Sequence, residues 1–147
     1  MVYWFTGQPS AGKTVLSKRL HAHFDYEPFL IDGDDMRELF SNKDYTIKGR
    51  VENVGTAQRI AHFLFNKGKD VIVALVSPYI DQREDFKDLL GDNIKEIYVH
   101  TTEKRERDHF AAQAYIPPYE NYVDINTTFD SPEESFEKLI NEISLVL

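Results

Sequence analysis

Cysteine is missing altogether from the 147 residues. Disulfides, thiolate metal sites and cysteine nucleophiles are excluded with it. No apolar run approaches the ~20 residues that a membrane helix needs. The N-terminus has no basic-then-apolar leader, so no signal peptide is expected and the expected compartment is the cytoplasm. Positive charge is scarce, with 17 basic residues against 25 acidic ones and a net charge of −8. A domain that tracks a nucleic-acid backbone is usually basic or carries a dense basic stripe. This chain does neither, so nucleic acid and membrane are not expected partners. An anionic ligand must be held by a few local cations against an unfavourable overall field, which favours a small nucleotide over a polymer. The five histidines lack ligand spacing; His21 and His23 cannot share a helix face. There is no repeat, low-complexity tract or linker. A length of 147 residues with 41% hydrophobic and 29% charged content suits one soluble domain over residues 1–147. Self-association as a homodimer is left open.

What is present begins at residue 7. Gly7-Gln8-Pro9-Ser10-Ala11-Gly12-Lys13-Thr14 has the spacing of a phosphate-binding P-loop: Gly, four free positions, then Gly-Lys-Ser/Thr. A chain this long matches that pattern by chance roughly once in 200 sequences at average amino-acid usage. Context lowers the odds further. Val2 to Phe5 reads as a buried strand, and Thr14 to Phe24 places Leu16, Leu20 and Phe24 at helical spacing. Strand, Gly-rich turn and helix together aim backbone N–H groups and a helix N-terminus at phosphate oxygens. Lys13 is expected to reach the β- and γ-phosphates of ATP, and the Thr14 hydroxyl to hold Mg²⁺.

Strands and helices alternate through the rest of the chain. Strands are expected at Phe29 to Ile31, Val71 to Val76, Ile94 to Val99 and Tyr122 to Ile125. Helices are expected at Asp35 to Phe40, Arg50 to Lys67, Asp81 to Leu90, from Thr101 onward, and after Ser131. Ser131-Pro132-Glu133-Glu134 is a strong helix start: an N-cap serine, proline at the first helical position and acids in the first turn. Ser41 to Lys48 reads as polar loop. Val71 to Val76 is apolar on both faces, as suits a strand covered by helices on both sides. The predicted fold is α/β, a five-stranded parallel sheet with helices on both faces.

Several clusters fall where ligands bind in such sheets, outside the carboxyl ends of the strands. Asp32-Gly33-Asp34 ends the second strand. Two carboxylates beside a P-loop suit Mg²⁺ held through water, or proton abstraction from an acceptor hydroxyl. The plain alternative is turn and N-cap chemistry. Arg37 follows by one helical turn. Arg50 and Asn53 share a helix face, and the planar arginine fork suits an oxyanion. Ser77-Pro78-Tyr79 ends the central strand. Arg105 and Arg107 precede an irregular stretch ending in Ile116-Pro117-Pro118, so Arg105 to Pro118 is expected to act as a lid over the γ-phosphate. Phe40, Phe110 and Tyr119 are candidates for stacking on a base, beside the simpler reading as core. A P-loop alone does not separate a switch GTPase, a motor and a small-molecule kinase.

The chain resembles the adenylylsulfate kinase family. The resemblance rests on Trp4-Phe5-Thr6-Gly7 leading into the P-loop, Asp32 to Arg37, Arg50-Val51-Glu52-Asn53, Val76-Ser77-Pro78-Tyr79 and Pro118-Tyr119-Glu120. They occur in the family's order and at compatible spacing from Val2 to Ile125. The P-loop and aspartates also resemble shikimate and gluconate kinases; the Ser-Pro-Tyr and Pro-Tyr-Glu pieces are more specific. The resemblance implies a P-loop kinase of three layers that phosphorylates the ribose 3′-hydroxyl of adenosine 5′-phosphosulfate with ATP. It implies a donor site at Gly7 to Thr14 with Arg105, and an acceptor site from Asp34, Arg37, Arg50, Asn53, Ser77 and Pro78. The expected catalytic set is Lys13, Asp32, Asp34 and Arg105, with Thr14 and Asp32 toward the metal and Arg107 toward the nucleotide. Three departures stand out. Val54-Gly55-Thr56 follows Asn53 where the family usually has a second arginine. Leu75 replaces the usual phenylalanine before Ser-Pro. The basic Lys-Gly-Leu-Tyr-type lid segment is replaced by Phe110-Ala111-Ala112-Gln113-Ala114, so the lid reads as shortened. A nucleoside, sugar or sugar acid as acceptor, or a nucleotide-binding module without turnover, remains an alternative.

Overall fold

The computed structural model describes residues 1–103, 112 and 114–144. Val2–Thr6 forms β1 and Lys13–His23 forms α1; Phe29–Asp32 is β2, followed at once by α2, Gly33–Leu39. Ile47–Asn66 is the long α3, Val71–Ala74 is β3 and Ile80–Leu90 is α4. Ile94–His100 is β4, Tyr122–Asn126 is β5 and Pro132–Ser144 is α5. The strands lie in the order β2-β3-β1-β4-β5, and every pairing is parallel. A parallel pair needs a crossover, and helices supply it on both faces. One face packs Trp4, Val71 and Val73 against Val54, Ala57 and Ala61 of α3 and Phe86 and Leu90 of α4. The other packs Phe5, Ile72, Ile97 and Val99 against Leu16 and Leu20 of α1 and Leu139 and Ile143 of α5. Burying each such leucine or isoleucine contributes about 1.5–3 kcal/mol.

The register places the site. Asp32 pairs with Ala74, and Ala74 with Phe5, so the carboxyl ends of β2, β3 and β1 lie level. The chain leaves β1 directly into the P-loop, which brings Asp32 alongside it. Gly7 permits that exit: it has φ 150°, and a Cβ there would stand 2.1 Å from the Val99 carbonyl oxygen.

Element boundaries moved for local reasons. α2 begins at Gly33, not Asp35, because the Asp32 carboxylate caps it, accepting from the Asp34 N–H at 2.9 Å. α3 begins at Ile47, not Arg50, because Thr46 is its N-cap and accepts from the Gly49 N–H. β3 stops at Ala74, two residues short of the apolar run, since the chain turns at Ser77 with φ 48°. Ser131 caps α5 as expected, and with Glu134 it forms a reciprocal capping box: the Glu134 N–H donates to Ser131 Oγ at 3.2 Å, and the Ser131 N–H to Glu134 Oε1 at 3.1 Å. Thr101 to Glu103 are not helical, and the rest of the helix expected there lies outside the described residues. Among the described residues no helix is long and apolar enough to cross a membrane.

Candidate active site

A cleft of about 460 Å³ opens at the carboxyl ends of β1, β2 and β3. Its P-loop side, which we propose as the donor side, is lined by Pro9, Ser10, Gly12, Lys13 and Thr14, and its far side, proposed as the acceptor side, by Asp32, Asp34, Arg37, Arg50, Asn53, Ser77 and Pro78. Residues scattered from Pro9 to Pro78 thus meet in one cavity. Gly7, Gln8 and Ala11 of the same loop are not part of the lining. Arg105 and Arg107 lie outside the described residues, as does most of the expected lid.

The donor side is built mainly of backbone. Gly12 is the N-cap residue of α1 and offers no side chain, so the helix start faces the cleft with its own N–H groups. Lys13 is only 8% exposed, and its Nζ donates to the Gly7 and Gln8 carbonyls, both at 2.8 Å. Two tertiary contacts brace the loop. Thr127 Oγ1 donates to the Ala11 carbonyl at 2.7 Å. The Gln8 amide donates to the Ala112 carbonyl at 2.7 Å and accepts from the Ala112 N–H at 2.8 Å. Neither Thr127 nor the pairing of Gln8 with Ala112 was legible in the sequence.

The acceptor side is built of side chains. Asp32 spends one carboxylate oxygen on capping α2, so the plain alternative holds for part of Asp32, while Asp34 stands in the first turn on the cleft wall. Ser41 to Lys48 is more ordered than a polar loop suggests. Asn42 Oδ1 accepts from the Asp44 N–H at 2.9 Å, Asp44 Oδ1 accepts from the Thr46 N–H at 2.8 Å, and Asn42 Nδ2 donates to the Gly49 carbonyl at 3.0 Å. Hydrogen bonds from the Thr46 side chain and backbone hold the Asp44 carboxyl below its usual range. Gly49 makes this packing feasible, because a Cβ there would lie 2.1 Å from the Asp44 carbonyl oxygen.

That turn carries both cleft arginines. Arg37 Nη1 donates to the Asp44 carbonyl at 3.0 Å, and Arg50 Nε to the Tyr45 carbonyl at 2.9 Å. The Arg37 Cζ lies 3.9 Å from the Tyr45 ring centroid and the Arg50 Cζ 5.5 Å. Such cation–π contacts orient the guanidinium planes. Burial lowers the Arg37 pKa from its ordinary value, but an arginine stays charged. Tyr45 lines the cleft; of the three aromatics considered for base stacking, Phe40 lies in a neighbouring depression, Tyr119 is not part of the cleft lining and Phe110 lies outside the described residues. Tyr45 was missed because an aromatic residue inside a polar stretch has no periodicity to mark it.

A sequence profile of the adenylylsulphate kinase family matches residues 1–136. The adenylyl-sulfate kinase of Pseudomonas aeruginosa is 32% identical over 142 residues, covering 90% of this chain and 72% of the relative. The bifunctional enzyme CysN/CysC of Xylella fastidiosa is 30% identical over 142 residues, and the chain spans 23% of that larger protein. The structure of the Mycobacterium tuberculosis APS kinase CysC in complex with AMPPNP and APS superposes with a TM-score of 0.77 at 20% identity, covering 97% of this chain and 96% of that one.

Proposed function

Because the chain belongs to the adenylylsulphate kinase family of P-loop phosphotransferases, we propose that it transfers the γ-phosphoryl group of ATP to the 3′-hydroxyl of adenosine 5′-phosphosulfate. The supporting observation is the single cleft that joins Lys13 and Thr14 to Asp34, Arg37 and Arg50. In the proposed step the acceptor oxygen forms a bond to the γ-phosphorus, the bond to the β–γ bridging oxygen breaks, and ADP leaves. The hydroxyl proton passes to the Asp34 carboxylate, the base suited to an alcohol acceptor. Lys13 offsets charge developing on the bridging oxygen. Arg37 and Arg50 face the anionic groups of the acceptor, whose phosphosulfate matches their planar forks.

Among the described residues no group of three or more histidines and carboxylates forms a metal cage. The donors that line the cleft instead fit Mg²⁺, which is commonly held by one or two oxygen side chains together with substrate phosphates. Thr14 and Asp32 would hold it, and its chemistry would be to neutralise phosphate charge. Arg105 and Arg107 are proposed to act on the same phosphates.

One observation favours a second acceptor class. Val54 and Leu75 line the cleft, giving an apolar wall on the acceptor side that suits the base of a nucleoside. Coupled ADP release with ATP, Mg²⁺ and a panel of acceptors separates the readings. Turnover of adenosine 5′-phosphosulfate to the 3′-phosphorylated product, in preference to sugars and nucleosides, is the expected result. Preference for a sugar or nucleoside would select the second reading, and no ADP release with any acceptor would select a binding module.

A further inference from the structure

Arg83 of α4 and Glu96 of β4 form an ion pair with side chains each only 1% exposed, Nε to Oε2 at 3.0 Å. Lys87 supports it from the next turn, with Nζ 2.9 Å from Glu96 Oε1. As a brace between helix and sheet this is a poor choice, because an apolar side chain of equal volume usually serves as well or better. The rest of the guanidinium shows a different use. Nη1 donates to the Ser77 carbonyl at 2.5 Å, and Nη2 donates to the Ile116 carbonyl. The Cζ also lies 5.2 Å from the Tyr115 ring centroid.

Ser77, like Ser10 of the P-loop, is a cleft residue whose backbone needs holding. It is not glycine, yet its φ is 48°. Such a backbone persists only where its surroundings over-determine it. Other contacts converge there besides Arg83, among them a longer one from Thr6 Oγ1 to the Ser77 carbonyl at 3.4 Å and one from the Gly7 N–H to the Val76 carbonyl at 3.3 Å. Trp4 Nε1 donates to Ser77 Oγ at 3.0 Å, the Ile116 N–H donates to the Pro78 carbonyl at 3.1 Å, and Thr6 Oγ1 donates to the Val76 carbonyl at 2.7 Å. The Tyr115 hydroxyl in turn meets Thr6 Oγ1 at 2.9 Å. Arg83 is not part of the cleft lining, so it has no direct route to a bound acceptor.

We propose that Arg83 is a positioning residue for the acceptor site: seated on Glu96, its guanidinium grips the Ser77 carbonyl and sets the turn that presents Ser77 and Pro78 to the cleft. The proposal rests on the reading of that cleft wall as the acceptor side. A lysine cannot replace it, since one ammonium does not spread donors in a plane toward Glu96, Ser77 and Ile116 together.

The test compares wild type, Arg83→Lys, Arg83→Met and the double variant Arg83→Met with Glu96→Gln. The double variant removes the buried carboxylate that Arg83→Met would leave to Lys87 alone, while Lys87 keeps its pair with Glu84, so it separates stability from positioning. It is expected to melt within a few degrees of wild type and keep its KM for ATP within about twofold. Its KM for adenosine 5′-phosphosulfate should rise by about tenfold or more, since small misplacements of a site wall are felt strongly. Arg83→Lys should show the same split. Wild-type acceptor KM in the double variant, or equal rises in both KM values, would overturn the proposal. A crystal structure of the double variant judges it even if wild type does not use this acceptor. Relaxation of Ser77 out of the left-handed region supports the proposal, and an unchanged turn sinks it.

Discussion

The two sides of the cleft are built by different means. On the donor side eight consecutive residues form a loop whose business is done mainly by backbone, closed by a lysine that folds onto the loop's own carbonyls. On the acceptor side, Asp34 and Arg37 of α2, Arg50 of α3 and Ser77 after β3 come from three separate stretches, and each is placed by another side chain or turn. A backbone site needs only spacing and glycine. A side-chain site needs a frame, and the frame is remote in sequence. The donor side should therefore fail through loss of single chemical groups, and the acceptor side through loss of geometry.

The largest effect expected is on the donor side. Lys13→Ala should lower kcat by about 10³-fold, the upper range for loss of one charge-stabilising donor. Its melting temperature should fall by only a few degrees, because the lost bonds run within the loop. ADP-release kinetics beside a thermal melt read both, and an unchanged rate would remove the P-loop from the mechanism. Asp34→Asn should lower kcat by about 10²-fold or more at saturating substrates, the usual worth of a general base. Isothermal titration should show ATP binding little altered. More than half the wild-type rate would mean that Asp34 merely shapes the start of α2, beside the cap that Asp32 already provides.

A smaller change tests geometry directly. Arg50→Lys keeps the charge but loses the fork and its Nε bond to Tyr45. KM for the acceptor should rise by about tenfold, or about 1.4 kcal/mol, with KM for ATP nearly unchanged. An equal rise in both would erase the contrast between the two sides. The smallest effect concerns pH and the frame behind Ser77. Burial works to lower the Lys87 pKa, but hydrogen bonds to Glu96 and Glu84 outweigh it and raise the value. A raised pKa stabilises the fold fully below the ordinary lysine value of ~10.4 and ceases to do so as pH climbs through the folded value. The stability gap between wild type and Lys87→Met should thus be flat through neutral pH and narrow only in strong alkali. A gap that widened with pH would contradict the sign.

The reach of sequence reading can be judged residue by residue. Asp32 and Asp34 were legible as a pair at a strand end, but their division of labour was not: which one caps α2 depends on where the helix starts. Arg37, Arg50 and Asn53 were recognisable as polar residues on helix faces. Nothing in the polar run from Ser41 to Lys48 announced that Tyr45 would sit between the two arginines. Arg83 was hidden more thoroughly. Asp81-Gln82-Arg83-Glu84-Asp85 reads as solvated helix surface, yet the Arg83 side chain is sealed against β4. Burial of a charge is invisible until the partner strand is in place.

By itself the sequence determined the P-loop, the alternation of strands and helices, the parallel sheet and the edge at which the cleft opens. Those features follow from short-range spacing, from apolar runs and from the few residues that suit a tight turn. Only the tertiary structure decided that the P-loop is tied to Thr127 and Ala112, that Asp32 stands level with Phe5, and that Arg83 and Glu96 meet behind Ser77. Those pairings join residues up to 116 positions apart. They depend on strand order and on the crossing of helices over the sheet, which local patterning does not encode.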